Sequence, residues 1–421
     1  MALLGTGLAS VALALMAFDL APDRAARVLA TVLTIKMLAY VFVAPLAQGV
    51  LGHLPRRQVL IALDIMRALA VAGLFFATDT WQIYGLIFLM QAASAGFTPT
   101  FQATIPDILT DEDTYTQALS LSRLAYDLES LISPVLAAML LFLLPPVGLF
   151  ILTGVGFIAS ALLIKSVSIP SIATQPARSF KDRLTRGSRI YLATPRLRGL
   201  LALNLSIAAI AAMVLVNTVV LVQQDLHLSQ QHVAFAIAAF GGGSMLIALI
   251  LPMGLRHWAD RNVMIWGAVG ALCSLVMLLI SSFVSGLTWG YLLISWAGIG
   301  MGFSAVMTPS GRLLRRSAHI EDRSAVFAAQ FALSHMCWLI TYPLAGVLMT
   351  GLGTSAALIG LACVGAIGIG IALMVWHGNL DQSPAHAHPE LAPDHPHLQG
   401  AGPHHHPIVI DDLHHHWPRM P

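Results

Sequence analysis

Long apolar segments recur along almost the whole chain, and short polar turns separate them. A helix that crosses a hydrocarbon core about 30 Å thick needs about 20 apolar residues. We predict twelve membrane-spanning helices, at 2–20, 28–51, 59–78, 82–105, 117–143, 148–165, 198–222, 232–254, 263–284, 287–309, 325–350 and 354–376. The first segment is interpreted as a helix and not a cleavable signal peptide, because no basic residue precedes it. It starts almost at Met1, and a truncated start is therefore one interpretation.

Composition agrees with this pattern. Of the 421 residues, 57% are hydrophobic and only 10% are charged, whereas soluble proteins carry about 25% charged residues. The three cysteines lie in apolar segments without CxxC spacing, so neither a disulfide framework nor a thiolate metal site is indicated. The chain has no Walker loop, G-x-S-x-G elbow or HExxH helix. We therefore expect no enzymatic activity and no required cofactor.

Basic residues are concentrated in alternate loops. One set of loops holds Arg56, Arg57, Arg178, Lys181, Arg183, Arg186, Arg189, Arg196, Arg198, Arg256, Arg261, Arg312, Arg315, Arg316 and Arg323, whereas the other set holds only Arg24 and Arg27. Short cytoplasmic loops carry the excess of Lys and Arg. This asymmetry predicts a multi-pass membrane protein with both termini in the cytoplasm.

The same pattern divides the chain into four parts. We predict an N-terminal six-helix half at 1–165, a basic cytoplasmic linker at 166–197, a C-terminal six-helix half at 198–376 and a tail at 377–421. Three sets of matching residues, separated by a nearly constant number of positions, indicate that the halves are duplicated. These are Arg57 with Arg261, Gly96-Phe97 with Gly302-Phe303, and Pro134 with Pro343. The match around the prolines, LISPVLAAML with LITYPLAGVLM, is the most specific of the three.

Two motifs give the chain a family resemblance. The turn LPRR at 54–57 followed by LDIMR at 63–67 resembles the turn between helices two and three of bacterial exporters in the major facilitator superfamily. SRLAYDLESLISPVLAA at 122–138 resembles their fifth helix. The resemblance implies an all-α membrane fold of twelve helices in two pseudo-repeated halves, which transports by alternating access around a midplane site. The chain departs from the pattern at Gly52, where an acidic residue is usual, and at Glu129, where a glycine is usual.

Few ionisable residues lie inside the predicted helices, and each needs a partner or an aqueous cavity. Candidate transport or gating residues are Asp19, Lys36, Asp64, Arg67, Arg123, Asp127 and Glu129. We predict that Lys36 pairs with Asp19 or snorkels, or else takes part in transport. Asp64 and Arg67, at i and i+3, form a local ion pair or contact the substrate. Arg123 and Asp127 pair at the cytoplasmic start of the fifth helix, and with Glu129 form a gate or an interfacial charge network.

Two polar stripes at helical spacing predict the walls of a wet cavity. Gln91, Ser94, Thr98 and Gln102 form one, and Gln330, Ser334, Cys337 and Thr341 form the other, with His335 one position off it. Asn204 and Asn217 are further candidates. The alternative is hydrogen bonding between helices by small polar residues, which is common in membrane bundles.

The tail after Trp376 is rich in histidine and proline, and we expect it to be disordered apart from PIVIDDL at 407–413. Its candidate metal ligands are His386, His388, His395, His397, His404, His405, His406, His414, His415 and His416. Imidazoles bind Ni²⁺, Co²⁺ and Zn²⁺, so we predict that the tail binds such an ion.

Tail and body together resemble the bacterial nickel-resistance exporters of the superfamily. This resemblance implies a protein of the bacterial inner membrane that carries out proton-coupled efflux of Ni²⁺ or a related divalent cation. The alternatives are a proton-coupled exporter of a small organic molecule such as a drug or siderophore, and a metal-responsive membrane sensor that does not transport. The expected partners are membrane lipid, protons and a small solute or metal ion, with no nucleic acid.

Overall fold

The architecture comes from a computed structural model, which describes residues 2–20, 25–170, 179–377, 385–386, 404–405 and 408–417. It is almost entirely helical. The helices are α1 (Ala2–Leu20), α2 (Ala25–Leu38), π1 (Ala39–Val43), α3 (Ala44–Leu51), α4 (Arg56–Leu74), α5 (Thr80–Ile108), α6 (Glu112–Leu140), α7 (Gly148–Ser166), α8 (Phe180–Ala193), α9 (Pro195–Val220), π2 (Leu221–Asp225), α10 (Gln230–Gly254), α11 (Asp260–Val284), α12 (Trp289–Met307), α13 (Ser310–Arg316) and α14 (Ile320–Val375). Two short strands, β1 (Ala385–His386) and β2 (His404–His405), pair antiparallel in the tail.

Each predicted span coincides with a helical stretch of the described residues. Seven stretches of the described residues are long and apolar enough to cross a membrane by length and composition. They lie in α2 to α3 with π1 between them, α7, α9, α10, α11, α12 and α14. The helices α4 and α6 contain several charged residues each, which lowers their hydropathy. The predicted all-α membrane fold is confirmed.

The last long helix, α14, accounts for two of the predicted spans. At 56 residues it would be about 84 Å long if straight, far more than a bilayer needs. Gly353 interrupts it with a φ of 83°, a conformation that costs a residue without a Cβ very little. Gly360 then approaches Leu348 so closely that an added Cβ would lie 2.6 Å from a leucine methyl. The chain therefore folds back at Gly353, and the two parts of α14 pack on each other.

The region predicted as a linker contains the helix α8, which sequence analysis did not predict. Ser179 caps it by accepting a hydrogen bond from the Asp182 amide at 3.2 Å. Its buried face carries Arg186, Ile190 and Tyr191. Basic residues are spread over the exposed face. The linker was predicted from this charge, and the helical spacing of the buried residues was not recognised.

The internal repeat has a structural counterpart at its arginines. Arg57 donates to the carbonyl of Lys165 near the end of α7, and Arg261 donates to the carbonyl of Trp376, just after α14, at 2.7 Å. Each arginine thus joins the start of the third helix of its half to the end of the sixth. This equivalence supports the duplication predicted from sequence.

Two large hydrophobic clusters form the interior. One is built from α1, α2 and α4 to α7, and the other mainly from α8 to α14. The turns at 52–55, 109–111, 255–259 and 317–319, together with α8 and α13, lie at one end of the bundle, which we call the basic end.

Candidate translocation site

The two halves are joined at the basic end by a cluster around Asp107. This buried carboxylate at the end of α5 forms ion pairs with Arg56 of α4 and Arg323 of α14. Arg56 also donates to the carbonyl of Ala103 at 3.2 Å and reaches the carbonyl of Ile320 at 3.5 Å. The turn lacks an acidic residue at Gly52, but Asp107 holds a basic residue from each half.

A second ionic cluster crosses the same boundary. Arg312 of α13 pairs with Glu112 of α6 at 2.8 Å and with Asp260 of α11 at 2.9 Å, and it donates to the Thr116 hydroxyl at 2.6 Å. Arg316 pairs with Asp260 at 3.0 Å and also with Glu112. Both clusters contain residues of both halves, so this conformation is closed at the basic end.

Asp107→Asn is expected to weaken this closure. Removing one partner of a buried ion pair costs about 3 to 5 kcal/mol, and the effect on closure is smaller than this because the asparagine oxygen still accepts a hydrogen bond from the arginines. The measurement is the rate of maleimide labelling of Ser324→Cys in lipid nanodiscs, with the three natural cysteines replaced by serine. Ser324 is buried beside the cluster, so faster labelling reports opening.

The matched control is Asp113→Asn. Asp113 pairs with Arg256 at 3.1 Å, and the two side chains are 54% and 52% exposed. We expect this change to leave labelling close to the parent rate, because exposed pairs contribute about 1 kcal/mol or less. Equal labelling of the Asp107 variant and this control would contradict a gating role for Asp107.

Farther from the basic end, Arg123 and Asp127 pair within α6, as predicted. The helix starts at Glu112, earlier than expected, which places Asp127 about 22 Å along it, near the middle and not at its start. Ser244 of α10 donates to Asp127 at 2.6 Å, and the Arg123 guanidinium lies 4.7 Å from the Phe303 ring centroid. This pair therefore contacts the opposite half at mid-depth.

A third meeting point combines Lys36 with an aromatic cluster. The Lys36 ammonium lies 5.7 Å from the Tyr40 ring centroid. Tyr40 meets His335 and Phe331 of α14 at centroid distances of 4.8 and 4.9 Å. His335 hydrogen-bonds the Phe331 carbonyl at 2.7 Å. The cluster joins the second helix of the N-terminal half to the eleventh span.

Lys36 and Glu129 interact electrostatically between α2 and α6. Tyr126, one turn from Glu129, lies near Gln102 of α5. The predicted partner Asp19 belongs to α1, but its side chain lies outside the described residues. Glu129 is thus the acidic group that the structure associates with Lys36, and the two bring opposite charges together within the N-terminal half, beside the aromatic cluster.

Asp64 and Arg67 form the predicted pair on α4. The Arg67 guanidinium also lies 3.9 Å from the Phe97 ring centroid and 4.5 Å from that of Phe157. Both residues are buried, and their partners belong to the N-terminal half. These contacts favour the structural interpretation of the pair over substrate contact.

The polar stripes differ from each other. On α5, Thr98 and Gln102 are partly exposed, while Gln91 and Ser94 are buried. On α14, Gln330 accepts a hydrogen bond from Tyr191 of α8, and Ser334 donates to the Phe331 carbonyl at 3.1 Å. The second stripe is therefore largely used in packing.

Two of the remaining predicted cavity residues hydrogen-bond within the bundle, whereas the Thr341 hydroxyl is buried without a hydrogen-bond partner among the described residues. Asn204 donates to the Leu200 carbonyl at 2.9 Å, and Asn217 donates to the Ala345 carbonyl of α14 at 3.3 Å. These two bonds are of the kind that stabilises membrane helices and their contacts.

The predicted metal ligands of the tail are mostly outside the described part. Structural detail covers the side chains of His414, His415 and His416, and only the backbone of His386, His404 and His405. His388, His395, His397 and His406 lie outside the described residues. Within the described residues, no group of three or more His, Cys, Asp or Glu side chains is placed to hold a metal ion.

Sequence reasoning missed Tyr40, Phe303 and Ser244 at the contact between the halves, Tyr126 beside Glu129, and Asp107 at the basic end. Aromatic residues are common in apolar helices, so nothing in their spacing separated these from packing residues. Asp107 had a usable signal: it is an acidic residue at the end of a predicted span facing basic turns.

Comparison with known proteins follows this geometry. A sequence model of the major facilitator superfamily matches residues 1–310 and 201–402. No curated protein sequence matches the chain.

Three solved structures share the fold. The human organic anion transporter MFSD10 (TETRAN) has a TM-score of 0.68 and 14% identity, over 88% of this chain and 98% of that one. The major facilitator transporter FucP in the outward conformation has a TM-score of 0.68 and 13% identity, over 90% and 98%. A bacterial homologue of the iron transporter ferroportin, in an outward-facing state, has a TM-score of 0.62 and 14% identity, over 89% and 97%. The sequence match extends over most of the chain and agrees with the fold, and the chain belongs to the major facilitator superfamily, a family of membrane transporters.

Proposed function

We propose that the protein is a proton-coupled transporter of a small organic solute that carries an anionic group. The observation that carries this proposal is the electrostatic interaction of Lys36 with Glu129 beside the aromatic cluster through which Tyr40 meets α14 of the other half. Charged groups inside a membrane bundle are costly unless they are paired or face water, and they commonly mark transport pathways.

The charges suggest how coupling works. Lys36 and Arg123 balance Glu129 and Asp127 when all four are ionised. Asp127 is held by Arg123 and Ser244, so Glu129 is the better candidate for protonation. A proton on Glu129 leaves Lys36 without its electrostatic partner, and an anionic solute then replaces that partner. The aromatic rings of Tyr40, Phe331 and His335 supply apolar surface for the rest of the solute.

The site suits a bare divalent cation less well. Lys36 and Arg123 both repel such an ion, and the described residues contain no three-ligand group for it. Efflux of Ni²⁺ or a related ion is retained as the second candidate because eleven of the seventeen histidines lie after Trp376. Binding of Ni²⁺, Co²⁺ or Zn²⁺ by the tail remains a prediction from composition.

Location and direction belong to the same proposal. The excess of arginine at the basic end supports a cytoplasmic basic end with both termini on that side, in a bacterial inner membrane. A proton gradient across that membrane would drive the transport. Whether the solute is exported or imported depends on whether it crosses in exchange for the proton or together with it.

The test is flux in proteoliposomes containing the full chain, with and without an imposed proton gradient. We expect gradient-dependent movement of radiolabelled phthalate, an aromatic dicarboxylate, and its loss in Lys36→Gln. The matched control is Lys181→Gln, in the exposed part of α8. Movement of radiolabelled nickel or of tetraphenylphosphonium, without movement of phthalate, would reject the organic-anion proposal; nickel movement would support the second candidate.

A further inference from the structure

The tail returns to the body of the protein at Ile408–Trp417, which we call the tail segment. Ile408 and Ile410 are buried, and Ile410 belongs to the hydrophobic cluster of the C-terminal half. Trp417 packs against the same cluster. The segment sits at the basic end, where α8, α9 and α14 begin or end. It is longer than the predicted PIVIDDL stretch and is docked on the body.

Polar contacts fix the segment to two helices at once. Asp412 accepts hydrogen bonds from Arg186 of α8 at 2.7 and 3.3 Å. The same buried guanidinium binds Asp322 of α14, with one bond at 2.7 Å. The Arg196 guanidinium of α9 lies 5.5 Å from the Trp417 ring centroid. The tail segment thus closes around the junction of α8 with α14.

Asp411 is the centre of a second anchor. Its carboxylate accepts from the backbone amides of Leu413 and His414 at 2.8 and 2.6 Å, and it contacts His414 Nδ1 at 3.0 Å. It also lies 3.3 Å from Nε2 of His319, the residue before α14. Here again the tail segment is tied to the start of α14.

These contacts shift the pKa values of Asp411 and His319. Burial alone would raise the pKa of Asp411, but the hydrogen bonds from His319, His414 and Leu413 outweigh burial and lower it. The hydrogen bond to Asp411 raises the pKa of His319 against the opposing effect of burial, and the charges of Asp411, Glu321 and Asp322 raise it further. Arg186 is a nearby basic residue, and it forms an ion pair with Asp322. The pair is therefore ionised below the raised pKa of His319.

The helix held by this segment spans both halves. On one side, a Cβ added to Gly49 of α3 would lie 3.5 Å from Leu184 and Phe180, and Arg183 contacts His53 at 2.9 Å. On the other side, Gly187 lies so close to Ala325 of α14 that an added Cβ would be 2.0 Å from its carbonyl oxygen. The helix α8 therefore lies across the basic end, in contact with α3 and α14.

Opening of the basic end must break one of these two contacts. With the tail segment in place, α8 is fixed to the C-terminal half, and only its contact with α3 can yield. Without the tail segment, either side can yield. We propose that the tail segment is an intramolecular latch that holds α8 on the C-terminal half and stabilises the conformation closed at the basic end.

The test uses the full chain with Ser324→Cys as the only cysteine, labelled with maleimide in nanodiscs. We expect the double variant Asp411→Ala, Asp412→Ala to label faster by on the order of tenfold, because the latch loses both its ion pair with the buried Arg186 guanidinium and its contact with His319. The matched control is His415→Ala with His416→Ala, two exposed positions in the same segment. Equal labelling of the parent and the aspartate variant would overturn the latch. The assay uses no solute, so it is independent of the proposed transport function.

A pH series gives a second readout that misfolding would not mimic. A histidine whose pKa is raised by folding stabilises docking below its unfolded pKa of about 6.5, and this contribution is lost as pH rises through the raised value. We expect the labelling rate of the parent, divided by that of His319→Gln, to rise with pH over this window. A ratio that stays constant with pH would overturn the role of the His319–Asp411 contact in the latch.

Discussion

Arg67→Gln is expected to lower the free energy of unfolding by about 3 to 5 kcal/mol, because it leaves the Asp64 carboxylate buried without its partner. Asp64 is 0% exposed and pairs with Arg67 one turn along α4. The change also removes the guanidinium from the faces of Phe97 and Phe157, contacts worth about 0.5 to 2 kcal/mol each. The measurement is unfolding of the purified protein in detergent, by heat or denaturant.

Two further proteins separate stability from transport. The double variant Asp64→Leu, Arg67→Met should regain most of the lost stability, since apolar residues of similar size often replace a buried ion pair without loss. If it is stable and transports, the pair is structural. If it is stable and inactive, the pair takes part in transport.

An exposed pair provides the control. Arg189→Gln removes a partner of Asp182 at a position where the arginine is 56% exposed, and we expect a loss of about 1 kcal/mol or less. An Arg67 variant as stable as this control would show that the buried pair contributes little.

Glu129→Gln is expected to reduce gradient-driven accumulation of solute to the level of empty liposomes. Under the proposed mechanism Glu129 carries the coupled proton, and a glutamine cannot take one up. The amide has nearly the same shape, so the approach of α6 to Gly7 of α1 is retained. Exchange of labelled for unlabelled solute, which needs no net proton movement, should continue near the parent rate.

This separation of accumulation from exchange distinguishes a coupling residue from a merely structural one. Structural damage at Glu129 would lower both activities together. The control is Glu321→Gln, the same chemical change at an exposed position of the basic end, which should leave both activities unchanged. Retained accumulation in the Glu129 variant would remove this residue from the coupling mechanism.

Several local features were predictable because they depend on spacing along one helix. The pairs Asp64–Arg67 and Arg123–Asp127 lie at i, i+3 and i, i+4, where side chains meet on the same helix surface. The equivalence of Arg57 and Arg261 was likewise predictable, because duplicated halves repeat their turns at a constant separation in sequence. Periodicity did not distinguish a cavity wall from a packed face: on α14 the stripe residue Gln330 bonds to α8, while His335 beside it meets the other half.

By itself, the sequence determined that the chain forms apolar helices in two related halves with a basic end, because segment length, hydropathy and arginine placement are local quantities. Only the tertiary structure decided which charges meet. Asp107 reaches Arg323 across 216 positions of sequence, and Asp412 reaches Arg186 across 226. Contacts at such separations depend on how whole helices pack, and no local pattern in the chain specifies them. The closure of the basic end and the docking of the tail segment therefore became visible only in the fold.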